Sequence, residues 1–147
     1  MILAFSGDPF LTHRAARRTL RDEGFSPDDV VEQGDGLDPD AIPNLAAQGG
    51  LFGRTALLLD FAAAFQGSSG VAPRKAAMTA LAGVPDDATI VVIDPSATTA
   101  RQKAWRSLGK LEAAQEQEVL ADAVSRPVLA GHGQTRLCMG AGLLVAA

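Results

Sequence analysis

The sequence predicts an α/β domain built on a mostly parallel sheet. Two near-continuous apolar runs, Thr55 to Phe61 and Ala88 to Ile93, have the length and composition of strands that are buried on both faces. Segments with helical spacing separate these runs, and strands that alternate with helices form βαβ units with right-handed crossovers. With 147 residues, of which 47% are hydrophobic, the chain has the size and composition of one globular domain.

The first two elements are a strand and a helix. Met1 to Phe5 predicts a short buried strand. Asp8 is a favourable N-cap and Pro9 a favourable first helical residue, while Gly24 is a natural C-terminal stop. These signals predict a helix from Pro9 to Glu23. Its apolar side is predicted at Leu11, Ala15, Ala16 and Leu20.

The opposite side of this helix carries arginines at i, i+3, i+4 and i+7. We call this set the arginine stripe: Arg14, Arg17, Arg18 and Arg21. Such a stripe is most often a solvated face. The alternative is a contact with DNA or with an acidic partner, because guanidinium groups bind phosphate and carboxylate in a forked geometry. The net charge of the chain is −4, so any DNA contact has to come from a local patch.

The next elements continue the alternation of strands and helices. A strand is predicted at Asp29 to Glu32, and helices are predicted at Asp40 to Ala47, between Pro73 and Gly83, and after a Ser96 cap through Trp105 and Leu111. Gln66 to Gly70 is a flexible loop by composition. Glu116 to Val124 is open to two interpretations, a continuation of the last helix or an edge strand.

The stretch before the central strand combines apolar side chains with glycines. Gln48, Gly49 and Gly50 precede Leu51 and Phe52, and Gly53 follows them. Glycines on both sides predict a loop that presents the apolar pair outward, as a plug for a partner's hydrophobic pocket. The alternative is that the pair only closes the end of the core, as most leucines and phenylalanines do.

The segment Gln48 to Phe52 resembles the Gln-x-x-Leu-Phe form of the bacterial sliding-clamp-binding motif. Its position before a buried strand resembles the δ subunit of the DNA polymerase III clamp loader. Three further stretches follow the order of that family: Gly7 to Leu11 after the first strand, Leu51 to Arg54, and Ala88 to Asp94 before a helix with Lys, Arg and Trp. The similarity covers about residues 1–111.

The resemblance implies a Rossmann-like three-layer domain of the AAA+ type. It also implies a non-catalytic subunit that binds the β sliding clamp through Leu51 and Phe52, together with other clamp-loader subunits, and helps to open the clamp for loading on primed DNA. The domain is expected at residues 1–112, followed by an atypical tail at residues 113–147. The lid and collar domains of the family are not recognisable in the tail.

The residues give no support for catalysis. A phosphate-binding loop needs Gly-x-x-x-x-Gly-Lys-Ser/Thr after the first strand, whereas Ser6 to Arg14 contains no lysine and has the Asp8 carboxylate where phosphate would bind. Asp94 is interpreted as part of a helix-capping turn rather than as a magnesium ligand. His13 and His132 are isolated, so no metal and no cofactor are expected. The chain is therefore expected not to be an enzyme by itself but an accessory subunit of a DNA polymerase.

Cysteine content and hydropathy indicate a cytoplasmic protein with no membrane partner. Cys138 is the single cysteine, and no window has the length of a membrane span or the form of a signal peptide.

The runner-up function is a stand-alone DNA-binding or scaffolding domain that uses the arginine stripe. A third hypothesis is a degenerate nucleotide-binding enzyme.

Overall fold

A computed structural model of the protein describes residues 1–51, 53–114, 139–141 and 143–144. The chain forms two compact units, Met1–Gln115 and Glu116–Ala147. In the described part of the second unit, the short strands Met139–Ala141 and Leu143–Leu144 pair antiparallel. The predictions made at four places lie outside the described residues: Phe52, Glu116 to Val124, His132 and Cys138.

The described part of the first unit alternates strands and helices along the chain. Its strands are β1 (Ile2–Gly7), β2 (Val30–Gln33), β3 (Ala56–Asp60), β4 (Thr89–Ile93) and β5 (Lys110–Ala114). Its helices are α1 (Pro9–Asp22), α2 (Ile42–Leu51), α3 (Phe61–Ala64), α4 (Val71–Leu81) and α5 (Thr99–Leu108). Short 3₁₀ turns precede β2, α2 and α4, at Pro27–Asp29, Pro39–Ala41 and Ser68–Gly70.

The five strands form one sheet in the order β2-β3-β4-β1-β5, and every neighbouring pair is parallel. In this register, Ala4 of β1 lies opposite Val92 of β4 on one side and Leu111 of β5 on the other. The strands β2 and β5 are the outermost strands of this sheet. The predicted α/β class with a parallel sheet is therefore confirmed.

The sheet has an apolar cluster on each face because alternate residues of a strand point to opposite sides. Leu58 of β3 packs in one cluster with Ala16 and Leu20 of α1, and we call this side the α1 face. Leu59 packs in the other cluster, the α2 face, with Ile42 of α2. Further buried members of the cluster on the α2 face come from α3, α4 and α5: Phe61, Ala77, Leu81 and Trp105. Helices thus flank both faces of the sheet.

The ends of α1 follow the predicted capping signals. The Asp8 carboxylate accepts hydrogen bonds from the N–H groups of Phe10 and Leu11, at 2.9 and 3.0 Å. At the other end, Gly24 adopts a positive φ of 91°. The Gly24 N–H donates to the carbonyl of Arg21, while the next N–H donates to that of Leu20, which is the bond pattern of a Schellman motif. The capping residues alone predict the bounds of this helix to within one residue.

The helix after β4 differs from its prediction at both ends. Ser96 is not its N-cap, because the chain first makes a turn closed by a 3.2 Å bond from the Ala97 N–H to the Asp94 carbonyl. Thr98 caps the helix instead, and its hydroxyl accepts the N–H of Arg101 at 3.3 Å. The helix ends at Leu108 and the chain then enters β5, so the predicted extension to Leu111 is wrong.

Smaller differences occur at other element ends. The predicted strand at Asp29 to Glu32 is confirmed with its bounds shifted by one residue. Phe61 opens α3 rather than closing the strand before it, because the Asp60 carboxylate accepts the N–H of Ala63 at 3.0 Å and caps a short helix. None of the described helices combines the length and the apolar character that crossing a bilayer requires.

Candidate functional site

The helix α2 extends further than the sequence predicted. It covers Gln48, Gly49, Gly50 and Leu51, so the expectation of a loop is wrong for these four residues. A glycine inside a helix costs about 1 kcal/mol relative to alanine. Ile42 and Ala46 of α2 are buried in the core, and tertiary packing of this kind contributes most of the stability of a helix in a protein. The role of Phe52 stays a prediction, because this residue lies outside the described part of the chain.

The backbone reverses direction after α2 at Gly53. This glycine has a φ of 105°, in the left-handed region that disfavours other residues. The following Arg54 places its guanidinium carbon 4.2 Å from the centroid of the Phe25 ring, a cation–π contact. Because α2 runs into β3, its last turn lies at the amino end of the parallel sheet. The described part of the predicted clamp-binding segment, Gln48 to Leu51, therefore forms the last turn of α2 and precedes the turn at Gly53.

The crevice where open α/β sheets usually bind ligands lies at the carboxyl ends of β1 and β4. These neighbouring strands lead into α1 and α5, which pack on opposite faces, and this arrangement defines a topological switch point. The N–H of Gly7 donates to the carbonyl of Pro95 across this point, at 3.1 Å. The Asp8 carboxylate bonds the N–H groups at the start of α1. A carboxylate thus occupies donors that would bind phosphate in a nucleotide site.

Asp94, at the end of β4, has a buried carboxylate that accepts three hydrogen bonds. Its side chain is 5% exposed and accepts hydrogen bonds from Nε of Arg101 at 3.0 Å and from Nη2 at 3.2 Å. The indole Nε1 of Trp105 donates to Oδ2 of Asp94 at 3.0 Å. The turn predicted here exists, but the carboxylate joins β4 to α5 instead of capping the helix. The pairing is not predictable from spacing alone, since it requires α5 to pack beside the end of β4.

His13 is not isolated, contrary to the prediction. Its Nε2 lies 3.0 Å from Oδ2 of Asp60, and the other carboxylate oxygen of Asp60 accepts the N–H of Ala63 at 3.0 Å. The imidazole is 36% exposed and its partner carboxyl 14%. This pair connects α1 to the carboxyl end of β3. Among the described residues, no group of three or more metal-ligating side chains is close enough to hold a metal ion.

The arginine stripe is partly engaged within the protein. Nη2 of Arg17 donates to both carboxylate oxygens of Glu32, at 2.9 and 2.8 Å, and ties α1 to β2. Arg18 lies 3.7 Å from Asp22 of the same helix. Arg14 and Arg21 are exposed and form no ion pair within the described part of the chain. The positive charge that remains open to a partner is therefore smaller than the sequence suggested.

The described part of the chain is an α/β structure with a five-stranded parallel sheet flanked by helices, as in Rossmann-like proteins. No model of a known protein family matches the chain, and no curated protein sequence matches it at a significant level. Because this fold class hosts many unrelated activities, a function has to be argued from particular residues.

Proposed function

We propose that this chain is a non-catalytic clamp-loader subunit of the δ type with an AAA+-type domain. It binds the β sliding clamp through Leu51 and Phe52, together with other clamp-loader subunits, and helps to open the clamp for loading on primed DNA in the cytoplasm. The observation that carries this proposal is the backbone of Gln48 to Leu51 and of Gly53. The helix α2 continues to Leu51, and Gly53 then turns the chain back into the sheet.

A helical backbone lowers the cost of binding. Ordering a flexible loop costs about 1–2 kcal/mol per residue, and Gln48 to Leu51 avoid most of this cost because they are already in α2. Burying one leucine and one phenylalanine yields about 3–6 kcal/mol, whereas micromolar affinity requires about 8 kcal/mol. Further contacts are therefore needed, and the exposed Asn44 and Gln48 stand at helical spacing from position 51 to supply them.

The switch point supports a non-catalytic role. The Asp8 carboxylate bonds the free amides of α1, and the N–H of Gly7 is bonded to Pro95. The carboxylate of Asp94, the counterpart of a magnesium-binding aspartate, is turned inward to Arg101 and Trp105. These contacts leave fewer free groups for a nucleotide at the switch point, because the first amides of α1 and the Asp94 carboxylate are bonded within the chain.

The test is equilibrium binding to the β clamp of the same organism, measured by calorimetry or surface plasmon resonance. We expect micromolar binding by the wild type and a loss of at least about tenfold in the Leu51→Ala, Phe52→Ala double variant. The matched control is the Phe10→Ala, Val71→Ala double variant, which removes apolar side chains that are 68% and 58% exposed. The control should bind within about twofold of the wild type.

Several outcomes would refute the proposal. It fails if the wild type does not bind the clamp, or if both double variants lose affinity equally. Salt-dependent DNA binding that is lost on changing Arg14 and Arg21, and is indifferent to Leu51 and Phe52, would favour the stand-alone DNA-binding domain. If clamp opening is the role, the wild type also binds a clamp variant with a weakened ring interface more tightly than the closed ring.

A further inference from the structure

A small cavity opens on the α1 face beside the outermost strand β2. Its apolar wall includes Leu20 of α1, Phe25 after the helix, and Val30 and Leu58 of the sheet. The cavity forms here because α1 packs mainly over β1, β4 and β5, so its cover ends near the β2 edge. The volume of about 170 Å³ suits one leucine-sized side chain, since pockets for drug-sized molecules measure about 300–1000 Å³.

The rim of the cavity carries a net positive charge. Arg17, Arg21 and Glu32 line it. Glu32 is neutralised by Arg17, whose Nη2 contacts both of its oxygens. Arg21 has no ion pair within the described part of the chain, so its guanidinium is the charge available to a ligand. Asp29, next to Val30, adds a carboxylate close to the rim; it accepts hydrogen bonds from the backbone N–H and the hydroxyl of Ser26 and keeps its negative charge, so Arg21 is the only site at which an acidic ligand is favoured among these described rim residues.

The backbone of β2 has one side without a neighbouring strand in the described sheet. The N–H of Val30 bonds to the carbonyl of Pro27 instead of to β3. Peptide groups alternate in direction along a strand, so the N–H of Glu32 also points away from β3, and it is the donor left for an added strand because that of Val30 is bonded to Pro27. This side can pair with an added strand, which is a recurring mode of peptide recognition.

We propose that this edge binds an extended acidic peptide of a partner protein. The peptide pairs with β2, inserts one apolar side chain into the cavity between Phe25 and Val30, and places a carboxylate on Arg21. In an extended chain, residues two positions apart point to the same side. The recognised pattern is therefore an apolar residue with an acidic residue two positions away. This inference is independent of the proposed clamp binding, which uses the end of α2.

The test uses the full chain and a fluorescein-labelled peptide, acetyl-Glu-Thr-Leu-Thr-Glu-amide. Control peptides replace both Glu residues by Lys, or the Leu by Ser. We expect sub-millimolar binding of the first peptide alone, with shifts of the backbone amide resonances of Val30 and Glu32. Arg21→Glu should weaken this binding by at least about tenfold and should allow the Lys peptide to bind. Arg14→Glu, on the same helix but outside the cavity, should change it by less than about twofold.

Other outcomes of these binding measurements would overturn the proposal. If the acidic peptide does not bind at millimolar concentration, or if Arg14→Glu and Arg21→Glu weaken it equally, the proposed site is wrong. If a DNA duplex binds instead, with a salt dependence that Arg21→Glu reduces, this edge is a nucleic-acid surface and the peptide proposal is overturned. Circular dichroism of both variants shows whether a lost signal reflects unfolding.

Discussion

Replacing Asp94 tests the contact that joins the sheet to its last helix. The Asp94 carboxylate is buried and holds the guanidinium of Arg101 through two hydrogen bonds and the indole of Trp105 through a third. Trp105 is itself fully buried and packs edge-on against Phe61, with 5.3 Å between ring centroids. Asp94→Ala therefore removes the shared acceptor of two side chains at the centre of the α2 face.

The structure sets the size of the expected effect. Breaking a buried ion pair by removing one partner costs about 3–5 kcal/mol, because the remaining charge stays buried. The side chain of Arg101 is 19% exposed and can turn partly toward water, which favours the lower end of this range. The Trp105 N–H loses its acceptor in addition, at about 1–3 kcal/mol for a buried unsatisfied group. Together, these two contributions are expected to lower the free energy of unfolding of Asp94→Ala by about 4–6 kcal/mol.

Urea unfolding at neutral pH measures this change. Trp105 is the only tryptophan of the chain, so its fluorescence reports on this cluster while circular dichroism reports on the helices. Asp87→Ala, which removes an exposed aspartate, is the control and should lie within about 0.5 kcal/mol of the wild type. A loss below about 1 kcal/mol in Asp94→Ala would show that the pair contributes little and would refute the reasoning.

Two further predictions concern a close backbone approach and a pKa. Gly109→Ala should destabilise the protein by more than about 2 kcal/mol, because a Cβ there would clash with the carbonyl oxygen of Ile2. Gly83→Ala, where a Cβ would make only ordinary contacts, is the control and should be neutral or slightly stabilising in thermal unfolding. The hydroxyl and the backbone N–H of Ser26 donate hydrogen bonds to the Asp29 carboxylate and lower its pKa below the ordinary value of 3.8. The stability that this ionised contact contributes is therefore present above pH 3.8 and is lost as the pH falls through the folded-state pKa. Ser26→Ala should raise the Asp29 pKa in an NMR titration, and an unchanged pKa would contradict this.

The parts of the fold that the sequence predicts are those with local causes. The apolar runs of β3 and β4 are continuous because both faces of the sheet are covered by helices. The bounds of α1 follow from Asp8 and Gly24, whose effects act within one turn of the helix. No knowledge of the other elements is needed for these features.

The parts that could not be predicted depend on tertiary contacts. Gly49 and Gly50 are helical against their local preference, in a helix whose start is packed into the core through Ile42, and this packing is not visible in the sequence around the glycines. The contact between His13 and Asp60 requires α1 to approach the end of β3, and the strand order that brings them together is not encoded in either segment. The candidate clamp-binding residues were identified by motif, while the conformation of their backbone was not.

The two proposed surfaces belong to different faces of the sheet, and one described contact links them: Arg54, which follows the clamp-binding segment, lies over the ring of Phe25 in the wall of the cavity. The end of α2 belongs to the α2 face, whereas Arg21 and the cavity belong to the α1 face. Arg21 takes no part in that contact, and distant groups without shared partners contribute almost additively to binding and stability. Arg21→Glu should therefore leave clamp binding unchanged, and the Leu51→Ala, Phe52→Ala double variant should leave peptide binding unchanged. A variant that loses both activities has lost its fold, and unfolding curves of the same samples would show it.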